Sequence, residues 1–192
     1  MNVIKAENIF KSFGEKTVLS DLSFSVEHGK VTLIVGASGI GKTTLLRILA
    51  GLETADSGKI HGLEDKKIAF LFQEDRLFPW LTALENVALV SEERDRKEKA
   101  TLLLSDLGLA DSIKKFPSEL SGGMNRRVAI ARTLMADGDV IILDEPFQGL
   151  DAENVKNALT VIKKHCIGKT VLAVTHDVSE FDNYADSLLT VG

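Results

Sequence analysis

Between an apolar run at residues 31–35 and a helix-like run beginning at residue 42 lies Gly36-Ala37-Ser38-Gly39-Ile40-Gly41-Lys42-Thr43, followed by Thr44. A strand, a glycine-rich turn and a helix in direct succession leave few folds open, because they call for a parallel sheet whose strand tips meet helix N-termini. The spacing fits a phosphate-binding loop. In such a loop backbone N–H groups wrap a polyphosphate, Lys42 reaches the terminal phosphates and the Thr43 hydroxyl holds Mg²⁺. Glycine is required where a side chain would block that approach. A plain flexible turn would explain the glycines but not Lys42 and Thr43 at their fixed positions.

The rest of the chain continues the alternation. Residues 3–10 and 18–26 read as strands around a turn at 12–16, the helix 42–50 stops at Gly51, and 58–60 and 68–72 read as short strands. After Gln73 the pattern becomes helical. Thr82 caps a run to Leu89, residues 94–107 place Ala100, Leu103, Leu104 and Leu107 on one stripe, and 125–135 set a polar face of Arg126, Arg127 and Arg132 against Val128, Ala131 and Met135. Strands return at 140–143 and 170–175 with a helix at 153–164 between them. This pattern predicts one α/β domain over 1–192: a core of 1–73 and 137–192 with a mostly parallel sheet, and a helical insertion over 74–136.

Bulk properties narrow the partners. A chain of 192 residues buries a substantial core but has no room for a second catalytic domain. Its net charge of -5 offers no basic surface for nucleic acid, so no nucleic-acid partner is expected. Cys166 is the single cysteine, which excludes an internal disulfide and suits a reducing cytoplasm. Lys5 and Glu7 interrupt the first apolar residues, against a signal peptide, and no apolar run nears the roughly 20 residues that span a bilayer. Any membrane role would therefore use a separate subunit.

Asp144 and Glu145 end the apolar run 140–143, at the same sheet edge as the phosphate loop. Asp144 is placed to hold Mg²⁺ or its water shell, and Glu145 to orient, or take a proton from, the water that attacks a γ-phosphate. A polar turn marked by Pro146 is the alternative, and it leaves the pairing with the phosphate loop unused. Leu120-Ser121-Gly122-Gly123 opens a helix, so the Ser121 hydroxyl and two glycine amides form an anion-binding tip aimed outward. An ordinary helix cap is the other reading of that turn.

With these motifs in this order, the chain resembles the ATP-binding cassette family over essentially its whole length. The resemblance implies a P-loop NTPase core of the RecA-like kind, ATP and Mg²⁺ as cofactors, and a head-to-tail homodimer with two ATP molecules between the copies. Ser121, Gly122 and Gly123 of one copy would then complete the phosphate shell held by residues 36–44 of the other. It further implies that Phe13 stacks on adenine beside Val18, and that Gln73 joins Thr43 and Asp144 at Mg²⁺ and relays the nucleotide state. Asp151, in Gln148-Gly149-Leu150-Asp151, would meet its counterpart across the dimer, and His176 would contact the γ-phosphate beside Glu145 and Lys42 as the catalytic set. Met124 and Asn125 depart from the family's usual glutamine and polar or basic residue; Gly149 replaces a common alanine and Phe13 a common tyrosine. Phenylalanine keeps the stacking face and loses only the hydroxyl.

Residues 72–82, Phe72-Gln73-Glu74-Asp75-Arg76-Leu77-Phe78-Pro79-Trp80-Leu81-Thr82, are similar to the corresponding segment of nitrate, sulfonate and taurine importers. There Phe78, Pro79 and Trp80 would receive a short helix of the permease; alternatively Trp80 packs the helical lobe. The implied function is an ATPase subunit peripheral to the cytoplasmic face of the membrane, serving permease subunits and a solute-binding protein in import of a small anion or sulfonate-like solute. The resemblance also implies a chain ending at the last core strand without a regulatory domain. Family members acting in DNA repair or translation are the alternative; they usually carry a coiled-coil insertion, metal-binding cysteines or a second cassette. A small-molecule P-loop kinase would have no use for residues 120–123 or Glu145.

Overall fold

In the computed structural model, which describes residues 3–181 and 183–191, β1 (Val3–Phe13) and β2 (Lys16–Glu27) form an antiparallel hairpin. β4 (Ser57–His61) pairs antiparallel with the other side of β1. The second sheet holds β3 (Val31–Val35), β5 (Ile68–Leu71), β6 (Val140–Asp144), β7 (Thr170–Val174) and β8 (Ser187–Thr190). Their order is β5-β6-β7-β3-β8 and every pairing is parallel.

Near-continuous apolar runs make a sheet that must be covered on both faces, and the period of two in side-chain direction divides each strand between two cores. Leu33, Ile141, Leu143, Val171 and Ala173 face one cluster. Ile34, Val140, Ile142, Leu172 and Val174 face the other. The second cluster is closed by the antiparallel sheet and by α1 (Lys42–Leu49), whose Leu45, Leu46, Ile48 and Leu49 are buried. The first is closed by α2 (Ala83–Ala88), α3 (Arg96–Asp106), α4 (Gly122–Met135) and α5 (Ala152–His165).

Local chemistry sets the helix ends. Thr82 and Glu85 form a reciprocal capping box at α2, and Asp151 caps α5 by accepting the Asn154 N–H at 2.9 Å. Lys163 and Lys164 complement the negative end of α5. The sequence pattern starts α4 at residue 125, yet the helix begins at Gly122, because Ser121 caps it directly and two glycines adopt the first turn. β8 answers to the last core strand that the resemblance implies, although the residue pattern assigned it no range. Its Ser-Leu-Leu-Thr run is mostly exposed and owes its strand form to pairing with β3, which the Asp186 carboxylate begins by accepting the Val31 N–H at 2.8 Å.

Candidate active site

The turn from β3 into α1 is shaped by close approaches. Gly41 precedes the helix at φ 108°, and a Cβ there would lie 2.8 Å from Val18 Cγ1 and Leu19 Cδ2. A Cβ on Gly36 would lie 2.4 Å from the Val191 carbonyl oxygen. Both the backbone conformation and the room available therefore demand glycine. Lys42 is buried and its Nζ curls under the turn, donating to the carbonyls of Gly36 at 2.9 Å and Ala37 at 3.0 Å. Ile40 packs toward the core, while Ser38 and Gly39 remain exposed.

Two acids stand across from this turn. The Thr43 hydroxyl donates to Asp144 Oδ1 at 3.2 Å, and burial pushes the Asp144 carboxyl above the usual carboxylate range against that hydrogen bond. Glu145 is also pushed up by burial, opposed by neighbouring His176. Its Oε1 lies 3.1 Å from His176 Nε2 and its Oε2 accepts the His176 N–H at 3.2 Å. The Glu145 backbone is held at φ 50°, a left-handed conformation that costs a residue with a Cβ about 1–2 kcal/mol. Its own N–H donates to the Val174 carbonyl at 2.9 Å, which ties the turn after β6 to the tip of β7.

A cleft of about 380 Å³ brings most of the expected residues together. Phe13, Val18, Ser38, Gly39, Gly41, Lys42, Thr43, Thr44, Gln73, Glu145 and His176 all line it, with Lys16 and Val174. Phe13 is half exposed at its rim, and Lys11 Nζ sits 4.9 Å from the ring centroid. Ser121, Gly122, Gly123 and Asp151 are not in that lining. Ser121 accepts the Met124 N–H at 3.2 Å as the cap of α4, and a Cβ on Gly123 would lie 3.3 Å from the Gly149 carbonyl. The tip of α4 and the loop before Asp151 are thus adjacent to each other. One copy of the chain supplies the cleft beside the glycine-rich turn and, separately, an exposed helix tip.

Three groups were not singled out from the sequence. Arg126, placed by helical periodicity on a polar face, is instead 2 % exposed, its guanidinium turned onto carbonyls of the loops after β5 and β6. Helical period marks only the side of a helix, and here that side faces backbone rather than water. Asn86 is fully buried; its amide accepts the Phe78 N–H at 2.8 Å and donates to the carbonyls of Phe78 at 3.1 Å and Leu81 at 3.0 Å. It thereby fixes the segment that presents Trp80, which is 68 % exposed, with Phe78 against it at 5.5 Å between ring centroids. Trp80 therefore does not pack inside the helical lobe. Lys11 is the third, bonded to the Thr54 carbonyl at 2.8 Å and to Glu53 at 2.7 Å beneath Phe13. A polar residue in an apolar helix stripe, as at Asn86, is the signal that could have found the second.

Residues 19–148 match the family model described as ABC transporter. The aliphatic sulfonates import ATP-binding protein SsuB 1 of Rhodococcus jostii (strain RHA1) is 44 % identical over 184 residues, covering 92 % of this chain and 74 % of that relative. The aliphatic sulfonates import ATP-binding protein SsuB 2 of Mesorhizobium japonicum is 39 % identical over 191 residues, covering 98 % of this chain and 77 % of the relative. Among solved structures, the bacterial ABC transporter cassette MJ0796 in dimeric form superposes with a TM-score of 0.88 at 30 % identity, covering 98 % of this chain and 95 % of that one. A post-hydrolysis dimer of the same cassette bound to ADP and Pi gives a TM-score of 0.87 at 30 % identity, covering 98 % and 94 % of the two chains.

Proposed function

This chain belongs to the ABC transporter family, and we propose that it is the ATP-hydrolysing subunit of a solute importer, acting as a head-to-tail homodimer under separate permease subunits. The observation that carries this reading is the Glu145–His176 pair, 3.1 Å apart, in the same cleft as Lys42 and Thr43. In this reading Lys42 and the loop amides of residues 36–44 cradle the β- and γ-phosphates, and Phe13 stacks on the adenine beside Val18. Glu145 orients the attacking water and accepts its proton; burial raises the affinity of its carboxylate for that proton and so favours a basic role. His176 holds Glu145 and the γ-phosphate in register.

Thr43 and Gln73 line the cleft and Asp144 Oδ1 is buried 3.2 Å from Thr43 Oγ1, a set of hard oxygen donors of the kind that suit Mg²⁺. Mg²⁺ bound there would neutralise charge on the β- and γ-phosphate oxygens.

The helix tip of Ser121, Gly122 and Gly123 needs an anion from outside its own copy, and a second copy's ATP supplies one. Asp151 would then lie at the seam between copies. We divide the chain accordingly into a nucleotide core, 1–73 and 137–192, and a lobe, 74–136, that carries the tip. Closure of two copies on ATP and release after hydrolysis would shift the permease between its two states. The exposed Phe78 and Trp80 are the proposed permease contact, and in this reading the chain works peripherally at the cytoplasmic face of the membrane. The relatives' names point to a sulfonate-like anion, which in this reading a separate solute-binding protein would deliver.

The test is Glu145→Gln. The variant should bind ATP as the parent does, lose turnover by about 100-fold or more, and accumulate as an ATP-loaded dimer by light scattering. Unchanged hydrolysis would remove Glu145 from the reaction, and a strictly monomeric ATP-bound variant would contradict the shared site.

A further inference from the structure

The guanidinium of Arg126 reaches two loops at once. Its Nη1 donates to the carbonyls of Phe72 at 2.7 Å and Gln73 at 3.1 Å and to Asp75 Oδ1 at 3.2 Å. Its Nη2 donates to the carbonyls of Asp144 at 2.8 Å and Glu145 at 2.6 Å, and its Nε to that of Pro146 at 2.9 Å. Every N–H of the fork is engaged, and one residue bridges the turns that follow the neighbouring parallel strands β5 and β6.

Arg132, two turns along α4, holds only the first of these loops, through the carbonyls of Asp75 and Arg76 at 2.8 Å each. It does not reach β6. The second loop is the one that keeps Glu145 at positive φ, and such a conformation persists only where its surroundings over-determine it. The Glu145 peptide is fixed by the Val174 carbonyl at its N–H and by Arg126 at its carbonyl.

We propose that Arg126 is a positioning residue for hydrolysis: it holds the Glu145 backbone in its strained turn and makes that turn move with the Gln73 loop. The proposal rests on the reading of Glu145 as the group that aligns water. Because Arg126 stands one turn from the Ser121 tip, a shift of the loop, the tip or the lobe reaches Glu145 through a single buried side chain. Lysine cannot replace it, since one ammonium has no planar fork to serve two loops.

The experiment is steady-state hydrolysis of MgATP by the full chain, with kcat expressed per folded molecule. Arg126→Lys should lower kcat about tenfold or more while KM for ATP stays within about twofold, the signature of a misplaced reacting group. Arg132→Lys, which loosens only the Asp75 and Arg76 carbonyls and leaves every Arg126 bond in place, should leave both constants within about twofold. Combined with Asp75→Ala, which removes the side-chain acceptor that this loop offers the same guanidinium, Arg126→Lys should cost less than the product of the two single effects, because both act on one linkage. A melting point lowered with kcat unchanged would reduce Arg126 to scaffold and overturn the proposal.

Arg126→Gln, whose amide reaches one loop only, carries the same comparison if the lysine variant does not fold. Failure of both to fold would also assign Arg126 to the scaffold. A parent chain that does not hydrolyse MgATP, or a Glu145→Gln variant as active as the parent, would instead sink the reading on which the proposal stands.

Discussion

Asp144 is a buried carboxyl at the site proposed for Mg²⁺. Burial raises its pKa, so the folded chain without nucleotide bears a desolvation cost once the carboxyl ionises. Below the ordinary carboxylate pKa the group is protonated in folded and unfolded chains alike, and that cost is absent; above the folded pKa it is present in full. Asp144→Asn should therefore raise the melting temperature of nucleotide-free protein by roughly 2 °C at pH 7.5, with the gain shrinking as pH falls through the raised pKa. Calorimetry across pH 4 to 8 measures this, and a gain that grew toward acid would reverse the assignment. Gly41 is constrained differently: at φ 108° with Val18 Cγ1 2.8 Å from an added Cβ, Gly41→Ala meets both strain and a clash. The expected loss is about 2 kcal/mol or more, read as a lower denaturant midpoint.

At the scale of elements, caps and buried amides decide where segments stop and what they present. Asn86 serves the loop 78–82 from the middle of α2, so Asn86→Ala leaves the Phe78 N–H and the Leu81 carbonyl without partners, while the Phe78 and Thr82 carbonyls keep the backbone N–H groups of Leu81 and residue 86. That should cost about 2–3 kcal/mol, equivalent to a fall of about 6 °C in melting temperature for a domain of this size. Thr82→Ala removes a capping box at the start of the same helix and should cost about 1 kcal/mol. A larger effect from Thr82 than from Asn86, by thermal melts of the two variants, would mean that the loop is held by its cap and not by the buried amide.

For the whole molecule, the separation between cleft and aromatic surface makes hydrolysis and coupling divisible. Phe78 and Trp80 are exposed and absent from the lining of the phosphate cleft. Replacing both with alanine should keep the basal ATPase rate of the isolated chain within about twofold, since neither touches the reacting groups. Solute uptake by vesicles holding the assembled importer should fall about tenfold or more, as expected when aromatic anchors leave an interface. Uptake equal to that of the parent would move the permease contact elsewhere.

The residue order alone determined the α/β class, the strand-loop-helix that makes the phosphate cradle and the acids at the tip of β6, because each depends on short-range periodicity or spacing. Strand β3 and the start of α1 fall where apolar run and glycine-lysine spacing put them. Tertiary structure alone decided the rest. β8 forms because β3 offers it a free edge, not because Ser187–Thr190 carries a strand pattern of its own. Arg126 turned from a surface cation into a buried clasp because carbonyls at the ends of two non-consecutive segments converge on it. Local pattern reports what a residue prefers among its neighbours in the chain, whereas backbone acceptors brought together from residues 72 and 144 exist only once the sheet has closed.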